Sequence, residues 1–214
     1  MVYNIVVLAS GSGSNFEAIV RQTRLYFTDI TVSMLITDKK NAFAIKRAEY
    51  LGIPYTLLPK HHRFRVLDEI IDTVKPHLIV LAGFMRIIPR WFVEKHFGKI
   101  VNIHPSLLPS FPGMHAIRQA YDYGVRVTGI TIHFVDSGVD TGPIIFQYPL
   151  MVNPEWDIEK LEEYIHRLEH RFYTPVINGL LHCPYEIRGR KVIFTDNRGD
   201  ACDIFRVERG EYIP

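Results

Sequence analysis

The chain has 214 residues, 47% of them hydrophobic and 22% charged, and a formal net charge of +2. That length and balance suit one ordinary globular domain with a sizeable core. The Lys and Arg residues are scattered without a long block, which argues against a nucleic-acid arm and suits small anionic ligands. Cys183 and Cys202, without Cys-x-x-Cys spacing, suggest neither a disulfide scaffold nor a zinc site, so a reducing cytoplasm is the simpler home. No apolar run approaches the ~18 residues of a membrane span, and no basic leader precedes the first strand.

Asn4 to Ala9 is a nearly continuous apolar run, the pattern of a strand buried on both faces. Ser10-Gly11-Ser12-Gly13-Ser14-Asn15 follows, then a helical pattern with Phe16, Ile19 and Val20 on one side. A Gly/Ser loop opening a helix presents free backbone N–H groups and a positive dipole end, a place for phosphate. A dinucleotide fingerprint, with Asp38 after a second strand from Ile30 to Thr37, would want a third Gly where this chain has Phe16, so a single phosphate is the better reading. The Walker pattern also fails, because no Gly-Lys-Ser/Thr follows.

Ala42 to Leu51 reads as a helix stopped by Gly52, and Tyr55 to Leu58 as a third strand. Lys60-His61-His62-Arg63 leads into a helix with Val66, Leu67, Ile70, Ile71 and Val74 on its buried side. Adjacent histidines point different ways on a helix or strand, so no metal is expected there. Leu78 to Ala82 is a buried strand ending in Gly83-Phe84-Met85-Arg86-Ile87-Ile88, placed as a pocket wall if the ligand crevice lies outside the carboxyl ends of the strands.

Lys99 to His104 is the next strand, where alternation puts Asn102 and His104 on one face, ~6.6 Å apart, with Val101 and Ile103 opposite. A lone His in an apolar strand is usually a satisfied core residue. Here an Asn shares its face and Pro105-Ser106-Leu107-Leu108-Pro109 follows. Beyond a helix around Ile117 to Tyr123 and a strand from Thr128 to Phe134, the loop Val135 to Pro143 carries Asp140. If those strands are close in one sheet, Asp140 reaches His104 and holds it charged.

Pro143 to Val152 continues as a β-rich run. A long helix from about Ile158 to Leu181 carries Leu161, Ile165, Leu168 and Phe172 at helical spacing, with Pro175 expected to bend or interrupt it. The final stretch has alternating segments at Lys191 to Phe194 and Ile204 to Val207, read as a hairpin. The alternation of strands and helices implies an α/β fold with a doubly wound, mostly parallel sheet. We expect one domain over 1–182, with 183–214 as a hairpin-like tail packed on it.

The runs Val7 to Asn15, Leu81 to Ile87, Asn102 to Pro109 and Asp140 to Pro143 resemble the phosphoribosylglycinamide formyltransferases of purine synthesis, over roughly residues 3 to 180. The resemblance implies a Rossmann-like fold, 10-formyltetrahydrofolate as donor and co-substrate, glycinamide ribonucleotide as acceptor, and no metal. It implies a catalytic trio of Asn102, His104 and Asp140. Gly13, Ser14, Asn15 and Glu169 match the ribonucleotide contacts. Met85, Arg86, Ile87 and Ile88, with Asn102 and Asp136, Ser137, Gly138, Val139 and Asp140, match the folate contacts. Arg63 and Arg65 compete for the family's folate-contacting arginine. The partners implied are small molecules, with no nucleic acid or membrane, for a cytoplasmic monomer or homodimer. The nearest rival, a formyltetrahydrofolate hydrolase, usually carries an extra N-terminal regulatory domain and His-His-Ser where this chain has His104-Pro105-Ser106. A catalytically idle folate or nucleotide binder is a rival of a different class, and formyl transfer to methionyl-tRNA is disfavoured because the larger C-terminal RNA-binding domain and the basic face expected there are not seen in the sequence.

Overall fold

A computed structural model describes residues 2–195 and 200–205. Its nine strands are β1 (Tyr3–Leu8), β2 (Ile30–Thr37), β3 (Tyr55–Leu57), β4 (Leu78–Leu81), β5 (Ile100–His104), β6 (Val127–Phe134), β7 (Ile144–Met151), β8 (Tyr185–Arg188) and β9 (Lys191–Phe194). They form one sheet in the order β3-β2-β1-β4-β5-β6-β7-β9-β8. The first five in that order run parallel, β6 and β7 add antiparallel, and β9 returns parallel to β7. The direction of winding changes between β1 and β4, and a switch of that kind opens a crevice at the carboxyl ends of the strands.

The apolar run of β1 is buried on both faces, as its composition demands. Ile5 and Val7 join a core with α1 (Ser14–Leu25), α2 (Phe43–Leu51) and α6 (Ile158–His182), while Val6 and Leu8 join another with α3 (Arg63–Val74) and α4 (Arg90–Lys95). The remaining helix, α5 (Ala116–Tyr123), contacts α6. Phe16 is fully buried, which seats α1 on the sheet by its ring rather than by the close glycine contact of a dinucleotide fold. Gly52 ends α2 with φ 64°, a left-handed turn in which its N–H caps the helix.

Three expectations change. Pro175 sits inside α6 without interrupting it, since the helix runs unbroken for 25 residues with Tyr173, Val176, Ile177 and Leu180 packed in the core. Burial of that face outweighs the single N–H that proline lacks. The hairpin exists, but the partner of Lys191–Phe194 is β8, turned at Gly189, whereas Asp200–Phe205 is a 3₁₀ helix and 206–207 lie outside the described residues. Alternation by itself does not choose a strand's partner, and the left-handed Gly189 (φ 61°) provides a turn that brings β8 back on β9. Cys183 and Cys202 are disulfide-bonded, against the sequence expectation. Packing of the 3₁₀ helix on α6, with Phe205 stacked on Phe194, brings two distant cysteines together in a way their spacing does not show.

Candidate active site

Asn102 and His104 stand on β5 with one residue between them, and the antiparallel register sets His133 opposite Asn102 and Thr131 opposite His104. This cross-strand pairing builds the site. His133 Nδ1 faces the Phe134 carbonyl at 2.9 Å and donates to it, so Nε2 carries the lone pair and accepts from the Asn102 amide at 3.2 Å. Burial pushes the His133 ring below the ordinary histidine value, consistent with that neutral form. One Asn102 N–H is thereby committed and the other remains.

His104 is 4% exposed. Its Nε2 donates to the Phe111 carbonyl at 2.8 Å, leaving Nδ1 as the working nitrogen, 3.3 Å from Asp140 Oδ2. The same carboxylate oxygen accepts the Gly113 N–H at 2.7 Å, and Oδ1 lies 3.7 Å from His133 Nε2. Phe111 and Asp140, which supply these partners, both adopt left-handed backbone, each at φ 53°. For a non-glycine residue that costs on the order of 1 kcal/mol, a strain characteristic of functional loops. The turn after His104 is bolted to the sheet. Thr131 donates to the Ser106 carbonyl and accepts the Leu108 N–H, while Gln147 donates to Leu108 and Thr131. Gly142 is required by close approach, because a Cβ there would lie 1.7 Å from the Phe134 carbonyl oxygen.

These groups open into a cavity of about 720 Å³ at the crevice between β1 and β4. Gly13, Ser14 and Asn15 form part of its wall. Gly13 is left-handed (φ 72°), and α1 begins there with no side-chain cap, so its first N–H groups face the cavity unclaimed by a side chain. Asn15 donates to Glu169 at 3.0 Å, and His166 Nδ1 bonds the same Glu169 oxygen at 2.9 Å. That bond raises the His166 pKa against the opposing effect of burial.

The Met85 to Ile88 loop is another wall, with Met85 and Ile87 exposed to the cavity mouth. It is tied down through Ser10, which accepts the Met85 N–H and donates to Asp38. Burial opposes ionisation of Asp38, but bonds from Ser10 and Arg86 outweigh it and hold the carboxyl below its usual range. Asp38 is thus spoken for by Ser10, Arg86 and Arg63, and is not a free ribose acceptor.

Asp136, Gly138, Val139 and Asp140 line the cavity, whereas Ser137 faces solvent and does not. Arg63 also lies off this wall, 3.6 Å from Asp38, and Arg63 and Arg65 both line a neighbouring cavity. His133, Thr131, Gln147 and His166 went unread in the sequence. The available signal for the first two was the polar alternation Thr131-Ile132-His133 in an apolar strand. Among the described residues, one cluster, Asp68, Asp72 and His96, has metal-ligating types in reach of one another. It lies outside the cavity, and Lys95 already bridges both carboxylates at 2.8 to 3.0 Å.

Residues 3–177 match the family model described as formyl transferase. The chain belongs to the formyl transferase family. It is 46% identical over 181 residues to the phosphoribosylglycinamide formyltransferase of Bacillus subtilis, covering 82% of this chain and 93% of that one. It is 38% identical over 179 residues to the human trifunctional purine biosynthetic protein adenosine-3, covering 81% of this chain but 18% of that longer protein. The crystal structure of phosphoribosylglycinamide formyltransferase from Anaplasma phagocytophilum superposes with a TM-score of 0.86 at 33% identity, covering 93% of this chain and 97% of that one. In this formyl transferase the His104 ring is held between the Phe111 carbonyl and the Asp140 carboxylate. Among the described residues, no helix is long and apolar enough to cross a membrane.

Proposed function

We propose that this formyl transferase moves the formyl group of 10-formyltetrahydrofolate to the amine of 5-phosphoribosylglycinamide, giving formylglycinamide ribonucleotide and tetrahydrofolate. The observation that carries the reading is the meeting of Asn102, His104 and Asp140 in one cleft that also holds an uncapped helix start and an apolar loop. The Gly13 to Asn15 cradle takes the acceptor's phosphate, Glu169 contacts the acceptor, and Met85 to Ile88 with Asp136 to Asp140 enclose the folate ring.

The acceptor amine is the nucleophile. Its nitrogen bonds to the formyl carbon, the carbonyl electrons move to oxygen, and the uncommitted Asn102 N–H stabilises that oxyanion. The carbon bond to folate nitrogen then breaks. The proton lost by the amine reaches the departing nitrogen through His104 Nδ1, whose ring is held by Phe111 and oriented by Asp140. His133 keeps Asn102 turned for its task. We take the enzyme to be cytoplasmic, a monomer or homodimer acting on small molecules without metal, nucleic acid or membrane. The disulfide is compatible with that home because both cysteines are only 3% exposed to soluble reductant.

The test is purified protein with the formyl donor, with and without glycinamide ribonucleotide, following tetrahydrofolate. Release that depends on the acceptor is expected. Equal release without acceptor would make the protein a hydrolase, and none in either arm would make it a binder.

A further inference from the structure

The loop that carries Asp140 is held at its neck and from within. Phe134 donates its N–H to the Pro143 carbonyl at 2.9 Å, and Gly142 packs on the Phe134 carbonyl. Inside the loop, Asp136 Oδ1 accepts the Gly138 N–H at 3.0 Å and the Thr141 hydroxyl at 2.7 Å. A further restraint arrives from far along the chain. The guanidinium of Arg190 donates to the carbonyl of Thr141, the residue after Asp140.

The register of the sheet aims Arg190 at that carbonyl. With Gly189 it makes the turn between Arg188 and Lys191 of the β8–β9 hairpin, and Lys191 sits opposite Ile144 at the start of β7. Toward the loop, Pro143 has no N–H with which to extend the ladder, and the Arg190 side chain carries the contact on to Thr141. The hairpin is a firm mount for it. Tyr185 of β8 meets the rings of both Phe134 and Phe194 and donates to the Gly98 carbonyl at 3.2 Å, and a disulfide ties Cys183, just before β8, to Cys202.

We propose that Arg190 is a positioning residue for formyl transfer, holding the loop that presents the Asp140 carboxylate to His104 Nδ1. The inference rests on the catalytic role proposed for Asp140. That residue keeps its carboxylate 3.3 Å from His104 Nδ1 with its backbone left-handed at φ 53°, a conformation that persists only while surrounding contacts over-determine it. Arg190 is exposed and lines no part of the main cleft, so it neither packs the core nor meets a substrate there. What it can do is fix the backbone beside Asp140.

One exposed, charge-assisted bond is at stake, so Arg190→Ala should lower kcat about 5- to 30-fold, short of the ~10²-fold or more lost with a group at the reacting atoms. The ribonucleotide KM should stay within about twofold of wild type, because its cradle lies on α1 and α6, and Arg190→Lys, which keeps a cationic donor, should recover part of the loss. In the protein without substrates, amide hydrogen exchange over 135–142 should quicken at least about threefold in Arg190→Ala but not in Arg188→Ala, whose side chain pairs with Glu186 on the same hairpin. Added to Asp140→Asn, Arg190→Ala should lower kcat by less than a further ~twofold, because it acts through that carboxylate. An unchanged kcat or an unchanged exchange rate in Arg190→Ala, or a loss that multiplies in full with that of Asp140→Asn, overturns the proposal. If wild-type protein fails to transfer formyl to the ribonucleotide, the proposed reaction falls, while the exchange comparison still decides whether Arg190 holds the loop.

Discussion

Replacing Gly13 by alanine isolates the phosphate cradle from the rest of the cleft. At φ 72° an L side chain is strained by ~1–2 kcal/mol. The added Cβ would lie 2.6 Å from the Ala44 Cβ and 2.8 Å from its Cα. Ala44 cannot swing away, because its backbone N–H is bonded to the Gly11 carbonyl at 3.1 Å and it begins the buried face of α2. Either α2 or the loop must shift, and such overpacking costs a further ~1–3 kcal/mol. A total of roughly 2–5 kcal/mol in a chain of this size lowers Tm by about 4–20 °C. The same shift displaces the first N–H groups of α1, while Asn102, His104 and the Met85 to Ile88 loop lie on other elements. Thermal melting and two KM series on the folded variant are the assay. The ribonucleotide KM should rise at least tenfold, with the folate KM within about threefold of wild type, since lost phosphate hydrogen bonds are charge-assisted. An unchanged Tm with an unchanged ribonucleotide KM would refute the reasoning, and equal losses for both ligands would move the phosphate elsewhere.

Asp140→Asn and His104→Ala should each lower kcat by about 10²–10⁴-fold, with the double variant little worse than the poorer single one, because the residues act as a unit. Multiplicative losses in that cycle would separate them. His133→Phe removes the acceptor for Asn102 and should cut kcat by about 10- to 100-fold with small KM changes, the cost of releasing one buried donor, and His133→Gln should recover part of it; a large KM change instead would make His133 a binding residue. His166 should titrate above its ordinary 6.5 because Glu169 bonds the charged ring. The stabilisation it adds is fully present below about 6.5 and is lost as pH rises through the raised folded value, so a pH series on His166→Gln should lose this component, and an identical stability profile would remove it. Cys183→Ser frees a loop spanning a sequence separation of 19 and should cost about 3 kcal/mol, a fall of about 6–12 °C in Tm; an equal melt for variant and oxidised wild type, or two free thiols in native wild-type protein, would rule the link out.

The first five strands and most of their helices were legible because short apolar runs, glycine stops and 3.6-residue spacing are local signals. Asn102 and His104 were legible for the same reason, since the two-residue period of a strand fixes a shared face. The resemblance in the Asn102 to Pro109 and Asp140 to Pro143 runs extended this to a function. Local signals fail where a partner comes from far along the chain. The alternating Ile204 to Val207 segment looked as strand-like as its neighbour, yet Phe205 stacks on Phe194 from a 3₁₀ helix while β8 takes the pairing edge.

By itself the sequence determined the fold class, the position of the helix start at Gly13, and the polar face of β5, all consequences of backbone periodicity and residue chemistry within a few positions. Only the tertiary structure decided what those groups mean to one another. The β5 to β6 register put His133 opposite Asn102 and thereby chose which amide hydrogen is free. The left-handed bend at Phe111 placed a carbonyl on His104 Nε2 and left Nδ1 to work beside Asp140. The docking of the last 3₁₀ helix against α6 paired two cysteines that spacing left apart. Each depends on which surfaces meet when the core closes, and that is settled by packing between segments distant in sequence, so no window along the chain contains it.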